Sequence, residues 1–201
     1  DNQLGVYIAM IFNNGGNEYG VKINHAYAKY HGFTIGYTST LFSDQTAIPY
    51  TIDAQSPNST ANFSNTVVNY EHRFQNNMKI GVGLEKNVNS ITTNNYTNKV
   101  SQRLPDMPLY IQYCSNKNSH IRLSSVIRNI SYRNIETNSN NNIFGWGAKL
   151  SGILEFDHFT LYYMGTCGKG VASYIEDNLG QNIDLTPSAN KNGTMQATKS
   201  W

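Results

Sequence analysis

Apolar and polar residues alternate with a period of two along most of the chain. The clearest run is 78–87. Met78, Ile80, Val82 and Leu84 share one parity, and Lys79, Gly81, Gly83 and Glu85 share the other. That period puts successive side chains on opposite faces of a β-strand. In 119–132, Ile121, Leu123, Ser125 and Ile127 oppose Arg122, Ser124 and Arg128. In 143–155, Trp146, Ala148, Leu150 and Leu154 oppose Gly147, Lys149, Ser151 and Glu155. In 159–167, Phe159, Leu161 and Tyr163 oppose Thr160, Tyr162 and Thr166. Similar runs lie at 4–12, 19–30, 33–41, 62–74, 108–114 and 194–201. The expected fold is all-β and antiparallel. It has about ten strands, several near the 9–11 residues that a tilted membrane strand needs.

The connections sharpen this expectation. His31-Gly32, Gln75-Asn76-Asn77, the stretch 116–118 and Asp157-His158 read as tight turns. Between them lie longer connections at 42–61, 89–107, 133–142 and 169–193. Strict alternation of short and long is expected of a transmembrane β-barrel, whose two rims face different compartments. A soluble β-sandwich with uneven loops is the alternative.

The apolar parity collects Val21, Ile23, Tyr27, Ile35, Tyr37, Val68, Tyr70, Leu109, Ile111, Tyr113 and Trp146. The other parity is polar and small, as a water-filled lumen tolerates and a covered second face would not. Its charged members Lys22, Arg73, Lys79, Arg122, Arg128, Lys149, Glu71 and Glu85 are the expected pore-lining residues. Their excess is cationic, which favours anions. The connection 42–61 carries Asp44, Pro49, Asp53 and Pro57. It reads as a constriction loop whose carboxylates face a cationic wall.

Composition is consistent with this and excludes other classes. Of 201 residues only 14% are charged, and the net charge of +2 gives no case for nucleic acid. No stretch approaches the roughly 18 apolar residues of a membrane helix. Cys114 and Cys167 fall on opposite parities and read as free thiols. The five histidines have no zinc spacing, and there is no nucleophile elbow or phosphate loop, so neither catalysis nor a cofactor is expected. An outer-membrane barrel enzyme and a soluble sandwich binding module remain as alternatives.

Several segments, in order along the chain, resemble the DcaP-like trimeric outer-membrane porins. They are His25-Ala26-Tyr27, a Gly-rich strand from Gly32 to Thr40, Pro49-Tyr50-Thr51-Ile52-Asp53 and Ser56-Pro57-Asn58. Arg103-Leu104-Pro105-Asp106, Arg128, Gly145-Trp146-Gly147, Ser151-Gly152, and Gly168-x-Gly170 with Tyr174-Ile175 continue the series. The resemblance implies a passive channel in the bacterial outer membrane for small hydrophilic solutes, anionic ones among them. It also implies a homotrimer in contact with outer-membrane lipid. Residues 1–201 then form one barrel domain, cut at both ends, of a barrel with roughly sixteen strands.

Overall fold

The computed structural model describes residues 3–13, 20–52, 57, 59–61, 64–88, 90–115, 118–189 and 191–201. Asp53, Ser56, Asn58, residues 62–63 of the fourth run and residues 116–117 of one turn lie outside the described residues. The strands are β1 (Gly5–Asn13), β2 (Gly20–Tyr30), β3 (Phe33–Ser39), β4 (Ser64–Arg73), β5 (Met78–Glu85), β6 (Thr97–Lys99) and β7 (Met107–Cys114). They continue with β8 (His120–Asn134), β9 (Ser139–Glu155), β10 (Thr160–Lys169), β11 (Leu185–Pro187), β12 (Met195–Ala197) and β13 (Lys199–Ser200). One sheet runs β1-β2-β3-β4-β5-β7-β8-β9-β10-β13, with β6 added to β8, and β11 pairs β12 separately. Every strand pairing is antiparallel. No described helix is long and apolar enough to cross a membrane.

The tight turns follow from local chemistry. His31 and Gly32 both take positive φ (46° and 84°), as the two-residue turn of a right-twisted hairpin requires. Gly32 has no alternative there, because a Cβ would collide with the Glu71 carbonyl oxygen. Asn77, Asn118 and Asn138 take the left-handed position in three other turns, with φ of 63°, 56° and 51°.

Register joins the alternating runs into two unlike faces. Ile35 pairs Val68 and Val68 pairs Leu84. Ile80 pairs Ile111, Ile111 pairs Leu123 and Leu123 pairs Leu150. These side chains form a continuous apolar band that is left open, Val82 at 55% and Leu123 at 53% exposure. The opposite face is largely polar and is covered in part. Among the described residues Asn65, Asn69, Glu85, Gln112, Arg122, Ser124, Arg128, Lys149 and Ser151 are buried on it. The usual relation of apolar interior to polar surface is inverted.

Three expectations are corrected. Tyr27 lies on the polar face, not with Val21 and Ile23. The register slips between Ala9 and Met10, so Asn24 is left unopposed and the parity of β2 reverses beyond it. Tyr27 therefore shares a face with Lys22, His25 and Tyr7. The connection 133–142 is mostly strand, because β8 and β9 stay paired up to Asn134 and Ser139. At 15 and 17 residues they outrun the other strands and project as a hairpin. Residues 194–201 form no long strand. Met195–Ala197 pairs β11 and Lys199–Ser200 pairs the end of β10.

The projecting hairpin supports a small apolar cluster. Ile130 and Tyr132 pack with Ile91, Leu185 and Met195. This cluster fixes the connections 86–106 and 170–198 to the long-loop rim.

Candidate functional site

The register puts all eight charged residues singled out in the sequence on the polar face. Arg73 pairs Lys79 and Glu71 pairs Gly81. Lys79 pairs Gln112, which pairs Arg122. Their surroundings divide them into two groups. Lys22 and Arg73 are exposed, and Glu71 and Lys79 are half-buried. Glu85, Arg122, Arg128 and Lys149 are enclosed.

What encloses the second group is the set of long connections. The segment after β3 turns over the polar face and reaches β8 and β9. The Leu41 amide donates to Glu85 Oε1 at 3.1 Å, and Arg122 donates to the Leu41 carbonyl oxygen. The Arg122 guanidinium also lies 3.6 Å from the centre of the Tyr110 ring. Tyr110 lies across Gly81, where a Cβ would collide with the ring, and its hydroxyl donates to Glu71. Phe42 packs with Ala61, Val126, Val171 and Tyr174. Pro49 is half-buried, and Tyr50 and Pro57 are exposed.

Asp44 sits where this segment meets β8 and β9. Its Oδ2 lies 2.9 Å from His120 Nε2 and accepts from Ser151 Oγ at 2.8 Å. Its Oδ1 accepts from Thr46 Oγ1 at 2.8 Å. Burial raises the Asp44 carboxyl, but the hydrogen bonds from His120, Ser151 and Thr46 and the charge of His120 outweigh it. The net effect holds the group well below the ordinary carboxylate range.

Arg128 is the second centre, at 1% exposure. Its Nε donates to Asp106 Oδ2 at 3.0 Å. Nη1 reaches Asp184 Oδ2 at 2.7 Å, the Gly170 carbonyl at 2.6 Å and Ser173 Oγ at 3.1 Å. Nη2 donates to the Val88 carbonyl at 3.0 Å. The planar fork thus ties 86–106 and 170–184 to the wall. Asp106 also accepts from Asn87 Nδ2 at 2.6 Å. Burial pushes its carboxyl up, to about 6, against the charge of Arg128 and the Tyr174 hydroxyl. The Lys149 ammonium is buried without a hydrogen-bond partner among the described residues.

Nearer β1 the polar face carries aromatic rings. Tyr7 and Tyr27 lie 5.3 Å apart, and Lys29 Nζ is 5.3 Å from the Tyr27 ring centre. No described group of three or more His, Cys, Asp or Glu residues could hold a metal ion.

Sequence reasoning missed His120, Ser151, Ser173, Tyr174 and Asp184 as partners of the charged residues. Nothing in the spacing of the five histidines singles out His120. Asp106 and Tyr174 stood inside motifs noted for resemblance, without a role.

No family model matches the chain, and no curated protein matches it. Among solved structures, it is similar to the outer membrane channel DcaP of Acinetobacter baumannii, at 16% identity and a TM-score of 0.77. The likeness covers 98% of this chain and 54% of that one, so the chain spans about half of the channel's length. The chain therefore has the antiparallel β-barrel fold of an outer-membrane channel, over about half of that channel's length.

Proposed function

We propose that this chain forms part of the wall of a passive diffusion channel in the bacterial outer membrane. It admits small hydrophilic solutes, anionic ones among them. One observation carries the reading: a continuous apolar band on one face of the sheet, backed by a polar face with charged residues and loops. Removing a side chain of that size from water is worth about 1.5–3 kcal/mol, so the open band favours hydrocarbon as its surroundings. A lipid-facing band and a wet interior are what a transmembrane barrel needs.

On this reading 1–201 belongs to a single larger barrel domain that works as a homotrimer, without catalysis. Lys22, Arg73, Lys79 and Glu71 face the solute path. Glu85, Arg122 and Arg128 hold loops against the wall, and Lys149 is buried beside them. The segment with Asp44, Pro49, Asp53 and Pro57 narrows the path.

Planar-bilayer recording of the full-length protein tests this. Stepwise conductance is expected, and deletion of 45–56 raises it and weakens ion selectivity. Replacing Arg73 and Lys79 with Ser shifts the reversal potential toward cations. Recovery of the folded full-length protein in the aqueous phase without detergent overturns the reading.

A further inference from the structure

Glu85 and Asp106 are direct cross-strand neighbours. Each backbone amide donates to the other's carbonyl, at 2.8 and 2.9 Å. Their side chains share a face and both are buried, at 1% and 0% exposure. Two carboxylates so placed repel each other. Between them stands one hydroxyl: Tyr174 Oη is 3.1 Å from Glu85 Oε2 and 3.0 Å from Asp106 Oδ2.

A phenol has a single proton to donate. It satisfies one of these two contacts, and the other then sets an oxygen lone pair against a carboxylate unless that carboxyl carries a proton. The phenol itself does not ionise. Burial, then the facing carboxyls, hold it well above its ordinary value. Asp106 already faces the Arg128 guanidinium and the Asn87 amide. Among the described residues Glu85 faces no cation and accepts only from neutral groups, the Leu41 amide at its other oxygen and the Thr40 hydroxyl. The remaining charged groups of the cluster are Arg128 from β8 and Asp184 from the last connection. Lys86, next to Glu85, is exposed.

We infer that Glu85 carries a buried proton, which it donates to Tyr174 Oη while Tyr174 donates to Asp106, and that this proton locks the long loops onto the wall. Glu85 holds the segment at Leu41. Asp106 belongs to the connection 86–106, and Tyr174 to the connection after β10. Loss of the proton leaves three carboxylates against one guanidinium and loosens the connections 86–106 and 170–184 together. The lock stands on these contacts alone. Any effect on solute passage rests on the channel reading.

The test is infrared spectroscopy of the folded full-length protein in detergent. The carbonyl stretch of a protonated carboxylic acid is expected at about pH 7. Glu85→Gln should remove it, and Glu155→Gln at the exposed rim should leave it. Glu85→Gln keeps a donor toward Tyr174 and an acceptor toward Leu41. At about pH 9 its 86–106 segment should therefore be cleaved about tenfold more slowly than wild type by one protease. A wild-type spectrum without the band, a band unchanged in Glu85→Gln, or equal cleavage overturns the proposal. If Glu85→Gln fails to fold, wild type decides: a band that disappears as pH rises supports the lock, and its absence refutes it. Conductance enters none of these readouts, so the lock can fail while the channel reading stands.

Discussion

Asp44 Oδ2 lies 2.9 Å from His120 Nε2, although the two residues are 76 positions apart in the chain. The contact carries the segment after β3 across the polar face to β8, four strands further along the sheet. The carboxyl is held below its ordinary value, so its contribution to stability is present above an ordinary aspartate pKa of about 4. That contribution is lost as pH falls through the lower folded value. Acidifying the full-length protein below about pH 4 should progressively loosen the segment, with full release only below about pH 2. Asp44→Asn should release it at neutral pH, because His120 and Ser151 lose their anionic acceptor. A fluorophore at Tyr50→Cys reports the release as a rise in mobility. Equal mobility in Asp44→Asn and wild type would show that the contact does not hold the segment.

Removing Arg128 should be the most damaging single change on the polar face. Arg128→Met leaves Asp106 and Asp184 buried without their cation, which costs about 3–5 kcal/mol. Arg128→Lys should rescue little, because an ammonium cannot reproduce the fork that serves five acceptors. Denaturant midpoints of the full-length protein, with protease sensitivity of 86–106 and 170–184, measure both variants. Wild-type protection in Arg128→Met would contradict the arrangement.

The apolar band makes a prediction about insertion. Val82→Arg should lower folding into lipid vesicles by about 2–4 kcal/mol if the position lies near mid-bilayer. Val82→Leu should be close to neutral. Gly83→Arg is not a clean control for the opposite face, because a Cβ there collides with the Asn69 side-chain oxygen. Equal folding yields for Val82→Arg and Val82→Leu would remove lipid from that face.

The two thiols test the same faces without mutation. Cys114 pairs His120 on the polar face and is half-buried. Cys167 pairs Ala148 on the apolar face and is exposed. In vesicles, a membrane-soluble maleimide should modify Cys167 first. A charged, water-soluble reagent should reach only Cys114. Mass spectrometry after each reagent reads the outcome, and the reverse order would exchange the two faces.

The sequence by itself determined the nine described strands of seven or more residues and most of their faces, but not the short β6, β11, β12 and β13. In β4, β5, β7, β8, β9 and β10 the period-2 pattern assigns each side chain to the face where it is found, because alternation is a property of neighbouring residues. It failed locally at Tyr27, where an unopposed Asn24 reverses the parity. Such an extra residue shows only against its partner strand. It failed at 133–142 because an Asn-rich polar tract resembles a loop, although there β8 and β9 continue to pair each other.

Only the tertiary structure decided which charges stay open to solvent and which are enclosed. Arg122 and Arg128 stand on one parity with Lys22 and Arg73, and nothing local separates them. The separation comes from chain segments that return over the face from far away. Asp106 and Asp184 reach Arg128 across 22 and 56 residues, and Tyr174 reaches Glu85 across 89. Alternation fixes which face a side chain takes. The path of a long connection depends on every contact it makes at once, and no spacing in the sequence records that.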